Sequence, residues 1–149
     1  MTPAERAEFD ALIDADDRLF YPTPGPQMDA YESVADIVGY GGAAGGGKSA
    51  LISGVAVTQS KRCLIIRQEK TTTRKFVQDI AGYIGHRDGY SSQTSSWAFK
   101  DKNGVQRIIE FAGMENEGDE EKQQGIDYDH KCVAAGTLVW MSDGSRRPI

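Results

Sequence analysis

Apolar positions along the chain change their period several times, and each change marks an element. Phe9, Leu12, Ile13 and Leu19 recur among acids and alanines after Thr2-Pro3, which predicts a short amphipathic helix in the N-terminal arm. Tyr21-Pro22-Thr23-Pro24-Gly25-Pro26 then removes backbone donors and fixes φ at three positions, so it predicts an extended connector. A short helix over Met28 to Val34 follows, and Ala35 to Tyr40, ending in Ile37-Val38-Gly39-Tyr40, reads as a short buried strand. Ala50 to Val57 continues as an apolar helix. Cys63-Leu64-Ile65-Ile66-Arg67 is an unbroken apolar run bounded by charge, the pattern of a parallel strand buried on both faces. Thr71-Thr72-Thr73 caps a second helix, with Phe76, Ile80, Tyr83 and Ile84 on one face and Gly85 as its stop. Ser96 to Lys100 alternates like a strand, Asp101-Lys102-Asn103-Gly104 is a turn signal, and Val105 to Phe111 returns as the second arm of a hairpin.

Between the first predicted strand and the apolar helix lies Gly42-Ala43-Ala44-Gly45-Gly46-Gly47-Lys48-Ser49, a match to the phosphate-loop pattern G-x-x-x-x-G-K-[ST]. Five glycines among the nine residues Gly41 to Ser49 let the backbone bring its N–H groups against phosphate oxygens with no Cβ in the way. Lys48 is expected to neutralise β/γ-phosphate charge and Ser49 to hold Mg²⁺ through its hydroxyl. The helix starting near Lys48 points its N-terminal dipole at the anion. Strand, loop and helix in this order are the context the pattern requires, and a Gly-rich linker has neither flank. The expected ligand is ATP with Mg²⁺. Gln27 either reads the adenine edge with an amide that donates and accepts at once, or is simply the polar start of a helix.

Composition narrows the setting. A chain of 149 residues with 39% apolar and 26% charged residues suits one soluble domain with a real core. Its formal net charge of −5 argues against a surface coated in basic residues for nucleic acid, while leaving room for a local basic face. No apolar run approaches the length of a membrane span, and the N-terminus is acidic where a signal peptide is basic and then apolar, so a cytoplasmic location is expected. Cys63 and Cys132 lie far apart without metal-type spacing, so neither a disulfide nor a metal site is expected; Cys63 reads as a core residue. Arg67, Lys70, Arg74 and Lys75 cluster just past the end of the second predicted strand. Ligands of open α/β sheets sit beyond such ends, and Arg67 is therefore placed near the nucleotide or a partner's substrate. The acidic stretch Gly113 to Lys122 reads as a solvated loop, and His86 carries no chemistry.

Together, Pro26-Gln27, Gly41 to Ser49, the strand ending Ile66-Arg67-Gln68-Glu69, the hairpin ending Ile109-Glu110-Phe111, and Glu117 to Gly125 resemble the ATPase domain of tailed-phage terminase large subunits over about residues 20 to 131. The resemblance implies an α/β P-loop NTPase of the ASCE or RecA-like kind, a parallel sheet with flanking helices, here incomplete. It implies a DNA-packaging motor that works in the host cytoplasm on double-stranded DNA. Its partners are a portal protein and a small terminase subunit, it forms a homo-oligomer when complete, and a C-terminal nuclease accompanies the ATPase. It favours Gln27 as the adenine reader. Many terminases carry an arginine inside the phosphate loop. The corresponding positions here are Ala43, Ala44, Gly45 and Gly46, so Arg67 and Arg74 become the candidates for that charge.

In that family the stretch after Gly125-Ile126-Asp127-Tyr128-Asp129 runs into the Walker B strand and its Asp-Glu pair. Here that strand is not expected to arrive. Cys132, then Gly136-Thr137-Leu138-Val139, Asp143-Gly144 and Pro148-Ile149, resemble the start of an intein. The resemblance makes Cys132 a nucleophile that attacks the Lys131 carbonyl and turns the Lys131–Cys132 peptide bond into a thioester. The downstream Thr-x-x-His and His-Asn that serve inteins are not in the sequence, and His130 reads as an ordinary host residue. The alternative for this tail is a hairpin with a buried cysteine. The expected organisation is an arm and connector over 1–26, a partial ATPase domain over 27–131 and an intein start over 132–149. The chain is read as cut off inside the intein, by truncation or as one half of a split intein whose partner chain carries the rest. Without a Walker B Asp-Glu, little hydrolysis is expected of it. A P-loop protein that is not a motor, or a non-functional fragment, is the alternative reading.

Overall fold

The computed structural model describes residues 2–8, 18–41, 45–133, 138–140 and 145–148. Residues 3–8 are helical; Phe9, Leu12 and Ile13 of the expected arm helix lie outside the described residues. Helix α1 spans Pro26–Glu32, with Pro26 in its first turn where the missing N–H costs nothing. Helix α2 spans Lys48–Thr58 and leads to strand β1, Arg62–Arg67. A 3-10 turn over Lys70–Thr73 enters α3, Arg74–Ile84, which Gly85 ends in the left-handed conformation, φ 86°, with its N–H on the Ala81 carbonyl. Strands β2 (Tyr90–Ser91), β3 (Ser96–Lys100) and β4 (Gln106–Gly113) form an antiparallel meander. A further 3-10 turn over Asp119–Gln123 precedes β5, His130–Val133. In the tail, β6 (Leu138–Trp140) pairs antiparallel with β7 (Arg146–Pro148).

The main sheet has the order β2-β3-β4-β1-β5. Strand β1 is parallel to β4 on one side and to β5 on the other. It is therefore a mixed α/β sheet rather than a wholly parallel one. Alternation along β1 sends Cys63 and Ile65 to the face covered by α2 and α3, where they meet Ala56, Val57, Phe76, Val77, Ile80, Trp97, Phe99, Ile109 and Phe111. Leu64 and Ile66 point the other way, to Ala112, Met114, Tyr128 and Val133. Both faces of β1 are buried, as its unbroken apolar run predicts. The hairpin turn is held by Asp101, whose carboxylate accepts the N–H groups of Asn103 and Val105 and pairs with Arg107 at 2.9 Å.

Two expectations fail. Residues 34–39 are exposed and outside the sheet, with Val34 wholly and Ile37 nine-tenths open to solvent, so the strand meant to enter the phosphate loop does not form. A strand needs a neighbour to take its backbone hydrogen bonds, and the β5 edge it would approach is separated from it by a groove. Conversely, a further parallel core strand, β5, forms at residues 130–133 where none was expected, although it carries no Asp-Glu pair. Cys132 and Val133, read as the first residues of an insertion, continue the pairing of His130 and Lys131 opposite Ile65 and Ile66. Apolar, β-branched Val133 serves the ladder whatever its origin. Among the described residues no helix is long and apolar enough to cross a membrane.

Candidate functional site

The connector, the loop and two helix ends assemble around one glutamine. Gln27 is buried; its Oε1 accepts the Thr23 N–H at 2.6 Å and its Nε2 donates to the Gly47 carbonyl at 2.9 Å. Tyr40 O–H donates to the Gly46 carbonyl at 2.8 Å, a second strap on the same loop. Helix α1 is fixed to α2 by the Tyr31 and Thr58 hydroxyls, 2.7 Å apart, and by Gln59 Nε2 donating to the Tyr31 carbonyl at 2.7 Å. Leu19 and Phe20 pack into the core, and the Phe20 ring lies so close to Gly54 that no side chain fits there.

Gly45 and Gly47 take the left-handed conformation, φ 84° and 75°, which only glycine adopts at little cost. Gly47 is the N-cap of α2 and makes no side-chain cap hydrogen bond. Lys48 and Ser49, both half-buried, open from this end into a groove of about 330 Å³. Arg67 at the end of β1 lines the same groove, as do Asp129 to Val133 along the outer edge of β5. The Arg67 guanidinium lies over the Phe76 ring, and its Nε donates to Thr72 Oγ1 at 3.3 Å. Arg74 is exposed at the start of α3 and does not reach the groove. Gly42, Ala43 and Ala44 lie outside the described residues.

The groove thus gathers Lys48, Ser49 and Arg67 together with Lys131 and Cys132, the residues read as phosphate contacts and those read as a splice junction. Lys131 projects to the opposite sheet face from Cys132, its ammonium over the Tyr128 ring. Cys132 Sγ is 4.0 Å from Cys63 Sγ, and both cysteines are free. The Cys63 thiol holds that of Cys132 below its ordinary pKa, against the upward push of burial. Cys63 itself is pushed well above its ordinary value by the same contact and by burial, with the Ser60 hydroxyl pulling the other way. His130 Nδ1 lies 2.8 Å from Ser60 Oγ. The Asp129 carboxylate accepts the N–H groups of Arg62 and Lys61 at 3.1 and 2.6 Å, which keeps it below the usual carboxylate range.

Sequence reasoning missed Ser60, Cys63 and His130 as polar neighbours of Cys132. Two short strands of like pattern were its only signal, since nothing in the sequence fixes the register that sets Cys63 opposite His130. Among the described residues no group of three His, Cys, Asp or Glu side chains is placed to hold a metal ion, so a divalent ion here would depend on Ser49 and on the phosphates it accompanies. Comparison of the chain with known protein families, with curated proteins and with solved structures finds no match.

Proposed function

We propose that this chain is the ATP-binding part of a phage terminase large subunit, the motor that drives double-stranded DNA into a procapsid, interrupted at Cys132 by the beginning of an intein. The observation that carries the reading is the Gly45–Ser49 loop. Its left-handed glycines lead into an 11-residue helix whose first side chains, Lys48 and Ser49, open on a groove shared with the end of a parallel strand. Backbone N–H groups, a helix dipole and a lysine converging on one point suit a triphosphate. Lys48 would meet the β/γ-phosphates, Ser49 would hold Mg²⁺ beside them, and Arg67 is better placed than Arg74 to add positive charge. Bound Mg·ATP supplies the phosphoryl group that such motors transfer to water. The chain's part is to seat the phosphates and hold the loop through Gln27 and Tyr40. Gln27 keeps one N–H and one lone pair beyond its bonds to Gly47 and Thr23, and adenine recognition would use those.

The complete assembly in this reading works in the host cytoplasm as a homo-oligomer with a portal protein and a small terminase subunit. An RecA-like ASCE sheet is the finer fold assignment that goes with it. The β1–β4–β5 parallel core supports that assignment, and so does the placement of the nucleotide loop at the start of the helix before β1. The test is titration of the chain with fluorescent ATP and Mg²⁺. Binding is expected, and Lys48→Ala should weaken it at least about tenfold, the loss of one charge-assisted contact. Hydrolysis is expected to stay at background. Equal binding by the Lys48→Ala protein, or turnover at the rate of a working motor, would overturn the reading.

A further inference from the structure

Two side chains from outside the phosphate loop hold consecutive carbonyls within it. Tyr40, just before the loop, donates its O–H to the Gly46 carbonyl at 2.8 Å, and Gln27 of α1 donates Nε2 to the Gly47 carbonyl at 2.9 Å. The Gly47 carbonyl also accepts the Leu51 N–H at 2.9 Å, the first bond of α2, so it is held along the helix and from the side at once. The Gln27 amide sits only one way round, because its oxygen accepts the Thr23 N–H at 2.6 Å.

A carbonyl and the N–H of the following residue belong to one planar trans peptide and point in opposite directions. Holding the Gly46 carbonyl therefore orients the Gly47 N–H, and holding the Gly47 carbonyl orients the Lys48 N–H. Gly47 is left-handed, with φ 75° and ψ 11°, and Lys48 opens the right-handed helix α2. A left-handed residue followed by a right-handed one turns successive N–H groups into one concavity that suits an anion. Lys48 and Ser49 line the groove beside this turn, and Tyr40 lines it too. Gln27 is buried and stands outside the groove lining, so what it does for a ligand reaches the ligand through the loop.

We propose that Tyr40 and Gln27 are positioning residues, which set the directions of the Gly47 and Lys48 N–H groups respectively, and that the ligand class they serve is a polyphosphate chain, with or without a base attached. The assignment rests on, and deepens, the reading of the loop as a nucleotide site. The single O–H of Tyr40 is engaged by Gly46, so its effect on a ligand is indirect. An effect transmitted through loop N–H groups is the same for ATP and for inorganic tripolyphosphate, whereas a contact with adenine touches ATP alone.

Amide spectra of the isotopically labelled chain, titrated with Mg²⁺ and either ATP or inorganic tripolyphosphate, read each N–H separately. In the unsubstituted chain both ligands should bind and move the Gly47 and Lys48 amide protons downfield. Tyr40→Phe should weaken both ligands by one factor, about fivefold, and shrink the Gly47 shift more than the Lys48 shift. Gln27→Leu should also weaken both equally, and shrink the Lys48 shift most. If Gln27→Leu does not fold, Tyr40→Phe, at a half-buried position, decides alone. Weaker ATP binding with tripolyphosphate untouched would make these side chains base contacts and remove the proposal. Equal shrinkage of both shifts in each variant, together with a lower urea midpoint, would mean general loosening and remove it too. Binding of ATP alone by the unsubstituted chain, or binding of both ligands that is indifferent to the substitutions, removes the proposal and leaves the nucleotide reading standing. Binding of neither ligand removes the nucleotide reading and the proposal with it.

Discussion

Residues 62–67 and 37–40 carry nearly the same message in sequence, a short apolar run with β-branched residues, and they end in opposite states. The first is β1, hydrogen-bonded on both edges to β4 and β5 and buried on both faces. The second lies outside the sheet with Ile37 open to solvent. Intrinsic preference is therefore the smaller term, and the presence of two neighbours decides. The largest effect should come from substitutions that trade on this contrast. Ile65→Ala, at a site closed to solvent, should cost about 2–5 kcal/mol in urea unfolding, whereas Ile37→Ala should stay within about 0.5 kcal/mol. Equal costs would mean that residues 37–40 are packed in solution.

A second contrast concerns two glycines that flank the loop. Gly54→Ala drives a methyl into the Phe20 ring and should cost about 1–3 kcal/mol, while nothing lies within 4 Å of a Cβ at Gly39. Gly39→Ala should leave the unfolding midpoint nearly unchanged. The smallest effect concerns the hold on β5. The Asp129 carboxylate is lowered by the N–H groups of Arg62 and Lys61, so its contribution is present above the unfolded carboxylate pKa and is lost as pH falls through the lower folded value. Asp129 is exposed, so the effect is small. Asp129→Asn should flatten the acid limb of a stability–pH curve, and an unchanged limb would show that these bonds are not made in solution.

Much of the fold was legible because its signals are local. The Asp101–Gly104 turn, the Gly85 stop and the Phe76/Ile80 face need only neighbours in sequence, and each is found where expected. The connector's role was not legible, since Phe20 sealing Gly54 and Gln27 bridging Thr23 to Gly47 are contacts made at a distance. The meeting of Lys48 with Cys132 on one groove depends on sheet order, and so does the contact between Cys63 and Cys132. Order is a property of pairing between strands, and short apolar runs carry no label for their partners. Residues 37–40 were misread for the same reason.

Gly47 closes the comparison from another side. A Cβ there would stand 2.5 Å from Gln27 Nε2, and the backbone at the same residue has φ 75°. The two obstacles are independent. A shorter side chain at position 27 would clear the space and leave the left-handed backbone untouched, so no partner change at position 27 rescues a substitution at position 47. Position 27, by contrast, answers to position 47 alone for its donor. Both constraints therefore fall on position 47, one from the Gln27 side chain and one from its own backbone, whereas the bond that Gln27 makes is to a backbone carbonyl that any residue at position 47 would offer.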